Sequence, residues 1–279
     1  MRALVLMLAM GLMLTGCGTT EKAEAAGARE VSYCTNGGQA QTLDLYAAEA
    51  AGPGRGTVIY IHGGGYTEGD KREGFELRRA RILTKFGFAV ASINYRLAPR
   101  RRFPAQLEDA KCAVAWVKAN ADARWIGLMG DSAGGHLASL IGVLGDTGDV
   151  PRVGAVAAFY APLDLAAMEA DSLLPQAIQP AMPTEAIRRK WSPLRYVSAG
   201  DPPFLLVHGR QDRFVSIAQS VRFAVALEQS GHDPLMAVVE NADHGLFPVD
   251  GLPAPSPDPA AIDRLFVAFF VGHSKVDIP

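Results

Sequence analysis

At 279 residues the chain is long enough to bury a large core in one domain or in two. Half of its residues are apolar and a fifth are charged (49% and 20%), the balance of a folded globular protein rather than a disordered or fibrous one. Its 27 basic and 29 acidic residues nearly cancel, which speaks against nucleic acid as a partner, and six histidines and three cysteines without CxxC or HExxH spacing give no signature of a metal centre.

The chain opens with "MRALVLMLAMGLMLTGC". One positive charge, Arg2, precedes an apolar run from Ala3 to Leu14 that is too short for a permanent span and has the layout of a cleaved signal peptide. Leu14-Thr15-Gly16-Cys17 resembles the lipobox of bacterial lipoproteins. That resemblance implies a signal peptide over 1–16, acylation of Cys17, and an exported protein that meets the membrane only through its lipid. Residues 17–28 are small and polar and read as a flexible tether. Cys34 and Cys112 then remain; an oxidising compartment would let them pair, but because Cys112 sits in an apolar helical pattern, two unpaired thiols are expected.

Residues 29–273 read as the folded domain and 274–279 as a tail. Glu30–Cys34 and Gln41–Tyr46 are β-like and joined by the turn "TNGG", an antiparallel edge. An alternation comes next: strand "TVIYIH", helix 73–87 with Gly87 as its stop, strand "FAVASINY", helix 104–121 opened by Pro104, strand "RWIGLMG", helix 132–145, then strands "VGAVAAFYAP" and "PPFLLVHG". Helix 214–231, strand "PLMAVVE" and helix 260–272 close the chain. Near-continuous apolar strands alternating with helices predict a mostly parallel sheet covered on both faces. The alternation breaks over about 164–199, which is rich in Ala and Pro. Placed after a strand's carboxyl end, this insertion is read as a small cap over the site, against the plainer reading of a surface excursion.

Two motifs carry chemistry. In "LMGDSAGGHLAS", Ser132 stands where a strand gives way to a helix, with glycines two residues to either side. So sharp a reversal strains the backbone at the serine, and side chains at 130 and 134 would collide as strand and helix pass. The turn projects the hydroxyl from the sheet edge, ahead of a helix N-terminus that favours negative charge. Upstream, "IYIHGGGYTEGD" places three glycines after a strand, leaving backbone N–H groups free to face an oxyanion.

With "IYIHGGGY", "INYRLAP", "FPAQLEDAKCAVAWV", "GDSAGG" and "DPPFLLVHGRQDRFV", the chain resembles α/β-hydrolase-fold esterases of the HGGG type, among them hormone-sensitive-lipase-like, acetyl esterase and feruloyl-esterase-like members. The resemblance runs from about Val31 to the last helix. It implies a Ser132–His244–Asp212 triad in the chain order Ser, acid, His, and an oxyanion hole from the N–H groups of Ala133, Gly64 and Gly65, with no cofactor or metal. Asp212 follows "PFLLVHG". Its competing role is to cap the next helix, and one carboxylate is expected to serve both ends only with difficulty. Asp201 precedes its strand and Asp243 adjoins the histidine, so both are weaker acids for the triad. His244 follows the last strand, whereas His62, His136, His208, His232 and His273 fall in a turn, a helix, a strand end, a turn and the chain end.

The expected function is hydrolysis of short-chain or aromatic acyl esters, with acetyl and feruloyl esters in view. An amide- or formamide-cleaving serine hydrolase and a non-catalytic lipoprotein of this fold are the alternatives. Leu173, Leu174, Ile178 and Met182 are candidates to line a small acyl pocket, and Trp191 is either an aromatic wall of that pocket or packed core.

Overall fold

The computed structural model describes residues 27–50, 54–121, 124–145, 152–168 and 173–274. The predicted signal peptide, Cys17, nearly all of the tether and the tail from residue 275 lie outside them. Eight strands form one sheet: β1 (Ala28–Asn36), β2 (Gln39–Tyr46), β3 (Gly56–Ile61), β4 (Phe88–Ile93), β5 (Ile126–Asp131), β6 (Ala155–Phe159), β7 (Phe204–Gly209) and β8 (Leu235–Val239), in the order β1-β2-β4-β3-β5-β6-β7-β8. The β1–β2 hairpin is antiparallel and packs antiparallel onto β4; every later pairing is parallel. The predicted antiparallel edge on a parallel sheet is therefore present.

The helices are α1 (Phe75–Ile82), α2 (Ala105–Asn120), α3 (Ala133–Leu144), α4 (Leu174–Ile178), α5 (Glu185–Lys190), α6 (Ala218–Gln229) and α7 (Pro259–His273). Period-two alternation sorts the strand side chains between two cores. Val58 and Tyr60 pack with Leu77 of α1 and Phe266 and Phe270 of α7, while Ile59 and Ile61 pack with α2, α3 and α6 through Val114, Leu137 and Phe223. Helix α7 starts where Asp258 caps it, its carboxylate accepting from the N–H of Ala261 at 2.7 Å, with Pro259 in the first turn.

Two helices depart from their expected bounds in a way that bears on the site or its support. The helix predicted over 73–87 gives way after Ile82 to a 3-10 turn that ends at Gly87, φ 89°. The helix predicted from 214 starts only at Ala218, because the backbone of 213–215 is bonded to side chains of the site.

Cys34 and Cys112, expected as unpaired thiols, form a disulfide with Cα atoms 6.2 Å apart. A β-bulge between Ser32 and Cys34 breaks the alternation of β1, so that Tyr33 and Cys34 both pack into the core beneath α2, where Cys112 waits. Helical periodicity at 112 shows that the thiol faces inward, but not which strand it will meet.

Within the predicted insertion the chain forms α4, α5 and a 3-10 turn over Pro193–Tyr196; Thr184 caps α5 by accepting from the N–H of Ile187. Two motif fragments singled out in the sequence turn out to be partners. Arg96 of "INYRLAP" is buried and donates to the carboxylate of Asp109 in "LEDAK", fixing the loop after β4 against α2.

Candidate active site

The carboxyl edge of the sheet gathers the residues singled out by sequence. Ser132 lies between β5 and α3 with φ 48° and ψ −118°, a left-sided backbone that costs about 1–3 kcal/mol at a non-glycine residue. Its N–H donates to the carbonyl of Phe159 at 2.9 Å, tying the turn to β6. The flanking glycines are demanded by close approach. A Cβ on Gly130 would lie 2.4 Å from the backbone of Gly134, and one on Gly134 would lie 2.0 Å from the carbonyl oxygen of Ile61 in β3.

His244 opens a 3-10 turn after β8, and its Nε2 is 3.1 Å from Ser132 Oγ. Its Nδ1 is 2.8 Å from Asp212 Oδ2. The imidazole is flanked by the rings of Phe214 (4.9 Å) and Tyr160 (4.8 Å, edge-on). The two oxygens of Asp212 divide the contacts that the sequence set in competition. Oδ1 accepts from the N–H groups of Phe214 and Val215 at 2.9 and 2.8 Å, capping the turn into α6, and Oδ2 faces His244. Burial pushes this carboxyl up, but hydrogen bonds from His208 and His244 outweigh it and hold it at about 2.

Gly64 and Gly65 follow β3 with φ 99° and 57° and line the same cavity as Ser132 and His244. Among the described residues none accepts a hydrogen bond from the N–H of Gly64, Gly65 or Ala133. The cavity measures about 540 Å³. Phe214, Phe247, Tyr160 and Ala177 give it an apolar side, and Glu68, Glu76 and Asp131 an acidic one. Loss of hydration and the neighbouring Glu76 push Asp131 up to about 7, despite the Tyr60 hydroxyl donating to it at 2.7 Å.

The weaker candidates have other duties. Asp243 pairs with Arg213 and accepts from the N–H of His244, and Asp201 accepts from Ser198. His62 stacks on Tyr95, His232 bonds the carbonyl of Ser198, and His273 packs on Phe269. His208, set aside in the sequence as a strand-end residue, contacts Asp212; its spacing of four residues before the acid is the signal that marks it. The predicted acyl-pocket residues do not line the cavity. Leu174, Ile178 and Met182 are buried in the core on the α3 face, Leu173 is exposed, and Ala177 is the residue of the insertion that reaches the cavity. Trp191 packs on Phe103 at 5.5 Å and belongs to the core.

His136, behind the serine, is fully buried between Tyr66 and Phe103, and burial lowers it to about 4 although Nε2 donates to the carbonyl of Trp191. Below pH 6.5 the unfolded chain takes a proton that the folded ring refuses. The stability contributed by neutral His136 is thus complete above pH 6.5 and lost as pH falls through 4. The stability advantage of the wild type over His136→Gln is expected to shrink by about 3 kcal/mol between pH 7 and pH 4, read from urea titrations at each pH; a constant difference would contradict it.

The BD-FAE family model matches residues 43–227. Esterase LipQ of Mycobacterium tuberculosis is 31% identical over 235 residues, covering 75% of this chain and 55% of LipQ. The probable carboxylic ester hydrolase LipM of the same organism is 32% identical over 71% of this chain and 51% of its own length. This chain spans about half the length of the curated relatives it matches. Among solved structures, the acetyl ester-xyloside bifunctional hydrolase from Caldicellulosiruptor lactoaceticus superposes with a TM-score of 0.71 at 25% identity, covering 88% of this chain and 96% of that one. The sheet order, the covering helices and this likeness establish the α/β-hydrolase fold.

Proposed function

This chain belongs to the BD-FAE family, and from that footing we propose that it is a serine carboxylesterase acting on short-chain or aromatic acyl esters. The observation that carries the reading is the unbroken hydrogen-bonded path Ser132–His244–Asp212, in a cavity that Gly64 and Gly65 also line. Asp212 is ionised at neutral pH and accepts from Nδ1, so His244 presents a bare Nε2 to the serine hydroxyl. As Oγ attacks the ester carbonyl, Nε2 takes its proton. The new oxyanion settles among the N–H groups of Gly64, Gly65 and Ala133, each worth about 3 kcal/mol of barrier. His244 returns the proton to the leaving alcohol, and water repeats the attack on the acyl-enzyme. Asp131 stands next to the serine, and its raised affinity for a proton lessens the negative charge beside the oxyanion near neutrality.

The apolar side formed by Ala177, Phe214 and Phe247 suits a small or aromatic acyl group, and the acidic side suits hydroxyl groups of the alcohol. The name acetyl ester-xyloside bifunctional hydrolase, borne by the structural neighbour above, favours acetyl esters of a saccharide. A p-nitrophenyl ester series from acetate to palmitate, with feruloyl and acetyl-xylan substrates beside it, tests this reading. Activity is expected to peak at acetate to butyrate; robust palmitate turnover would reject the small-acyl assignment, and no hydrolysis at all would reject the esterase.

The same reading includes export and a lipid on Cys17. The Cys34–Cys112 disulfide supports it, because such bonds persist in oxidising compartments outside the cytosol. Membrane fractionation of Cys17→Ala is expected to release the protein; equal retention of variant and wild type would refute the anchor.

A further inference from the structure

We propose that His208 is a positioning residue for the triad, acting through Asp212, and that Ser220 holds its ring by donating to Nδ1; this inference rests on the esterase reading above. His208 lies near the end of β7 with no exposed surface. Its Nε2 is 2.8 Å from the carbonyl oxygen of Val215 and 3.3 Å from Asp212 Oδ2, and its Nδ1 is 2.8 Å from Ser220 Oγ on α6. A carbonyl and a carboxylate only accept, so Nε2 carries the proton and shares it between them. In the neutral ring Nδ1 is then an acceptor, and the buried Ser220 hydroxyl donates to it.

The consequence is a carboxylate held on every side. Oδ1 takes two backbone N–H groups and Oδ2 takes two imidazole N–H groups, one from His244 and one from His208. Rotation about the bond to the carboxyl would break all four, so the direction in which Oδ2 meets His244 is fixed before substrate arrives. His208 also grips Val215, clamping the turn that carries Asp212 between β7 and α6. A histidine that merely filled space there would require neither a donor aimed at the acid nor a hydroxyl aimed at its other nitrogen.

The proton balance of the site gives a readout that packing alone would not move. The titratable and charged groups around Asp212 and His244 are His208, Asp131, Asp243 with its partner Arg213, and Glu76 behind Tyr160. Removing the His208 N–H leaves Asp212 with more charge for His244, so the imidazolium is favoured and the acid limb of the pH–rate profile moves upward.

His208→Leu is expected to lower kcat roughly 10- to 100-fold through loss of alignment, with KM little changed and the acid limb of kcat/KM shifted upward. His208→Gln, whose amide N–H can reach the place of Nε2, is expected to recover most of that loss. Ser220→Ala removes the hydroxyl that donates to Nδ1, leaves that buried ring nitrogen without its donor and is expected to cost roughly 3- to 10-fold in kcat, which keeps the test decisive if the leucine variant does not fold. Variants that melt lower but keep the wild-type kcat and acid limb would overturn the proposal in favour of packing. The two readings fail separately. A wild type without ester turnover or Ser132-dependent phosphonate labelling sinks the esterase, whereas an active wild type matched by Ser220→Ala and by folded His208→Leu sinks only the role of His208.

Discussion

Ser132→Ala is expected to lower kcat on p-nitrophenyl acetate by about six orders of magnitude while the protein remains folded. The hydroxyl removed makes one side-chain hydrogen bond, to His244, and the positive φ at 132 is imposed by the turn on alanine and serine alike. Stability should therefore change little, and circular dichroism and the melting temperature should superpose on the wild type. In the proposed triad serine and histidine act as a unit, so Ser132→Ala/His244→Ala is expected to be no slower than Ser132→Ala alone. Turnover by Ser132→Ala above a hundredth of the wild-type rate would place the nucleophile elsewhere.

Gly134→Ala is expected to unfold or severely destabilise the domain, by at least about 3 kcal/mol, as overpacking against backbone can. The added methyl would sit 2.0 Å from the carbonyl oxygen of Ile61 and 2.5 Å from that of His62, and neither can move without parting β3 from α3. Gly272→Ala makes the same chemical change on α7, where nothing lies within 4 Å of the new methyl, and is expected to add up to about 1 kcal/mol through helix propensity. Denaturant midpoints of the two variants should shift in opposite directions. Equal shifts would mean that the turn at Ser132 is less tightly built than these distances require.

How much the sequence discloses about this protein depends on how local each signal is. The strands and helices alternate in apolar period, so the covered parallel sheet and its antiparallel edge are readable without coordinates. The glycines about Ser132 report a steric demand within five residues, although the carbonyl that forbids a side chain at 134 belongs to β3 and is invisible to spacing. Ser132, Asp212 and His244 each come just after a strand, and parallel strands deliver the residues beyond their carboxyl ends to one edge. Other features arise from neighbours that only the fold supplies. The bulge at Tyr33 turns Cys34 toward α2, the insertion folds Leu174, Ile178 and Met182 inward instead of over the cavity, and the division of labour between the oxygens of Asp212 depends on where the N–H groups of 214 and 215 point.

The covalent tie between β1 and α2 also governs how the molecule bears load. Tension entering ahead of Ala28 would peel β1 from β2 one ladder rung at a time, beginning at the Ala28–Tyr46 pair. At Cys34 the peeling front meets the disulfide, and the force passes directly into α2, packed across the body of the sheet. A pull from that end can fray the outermost strand only as far as Cys34, beyond which it is borne by the packing of α2 and not by the remaining rungs of β1.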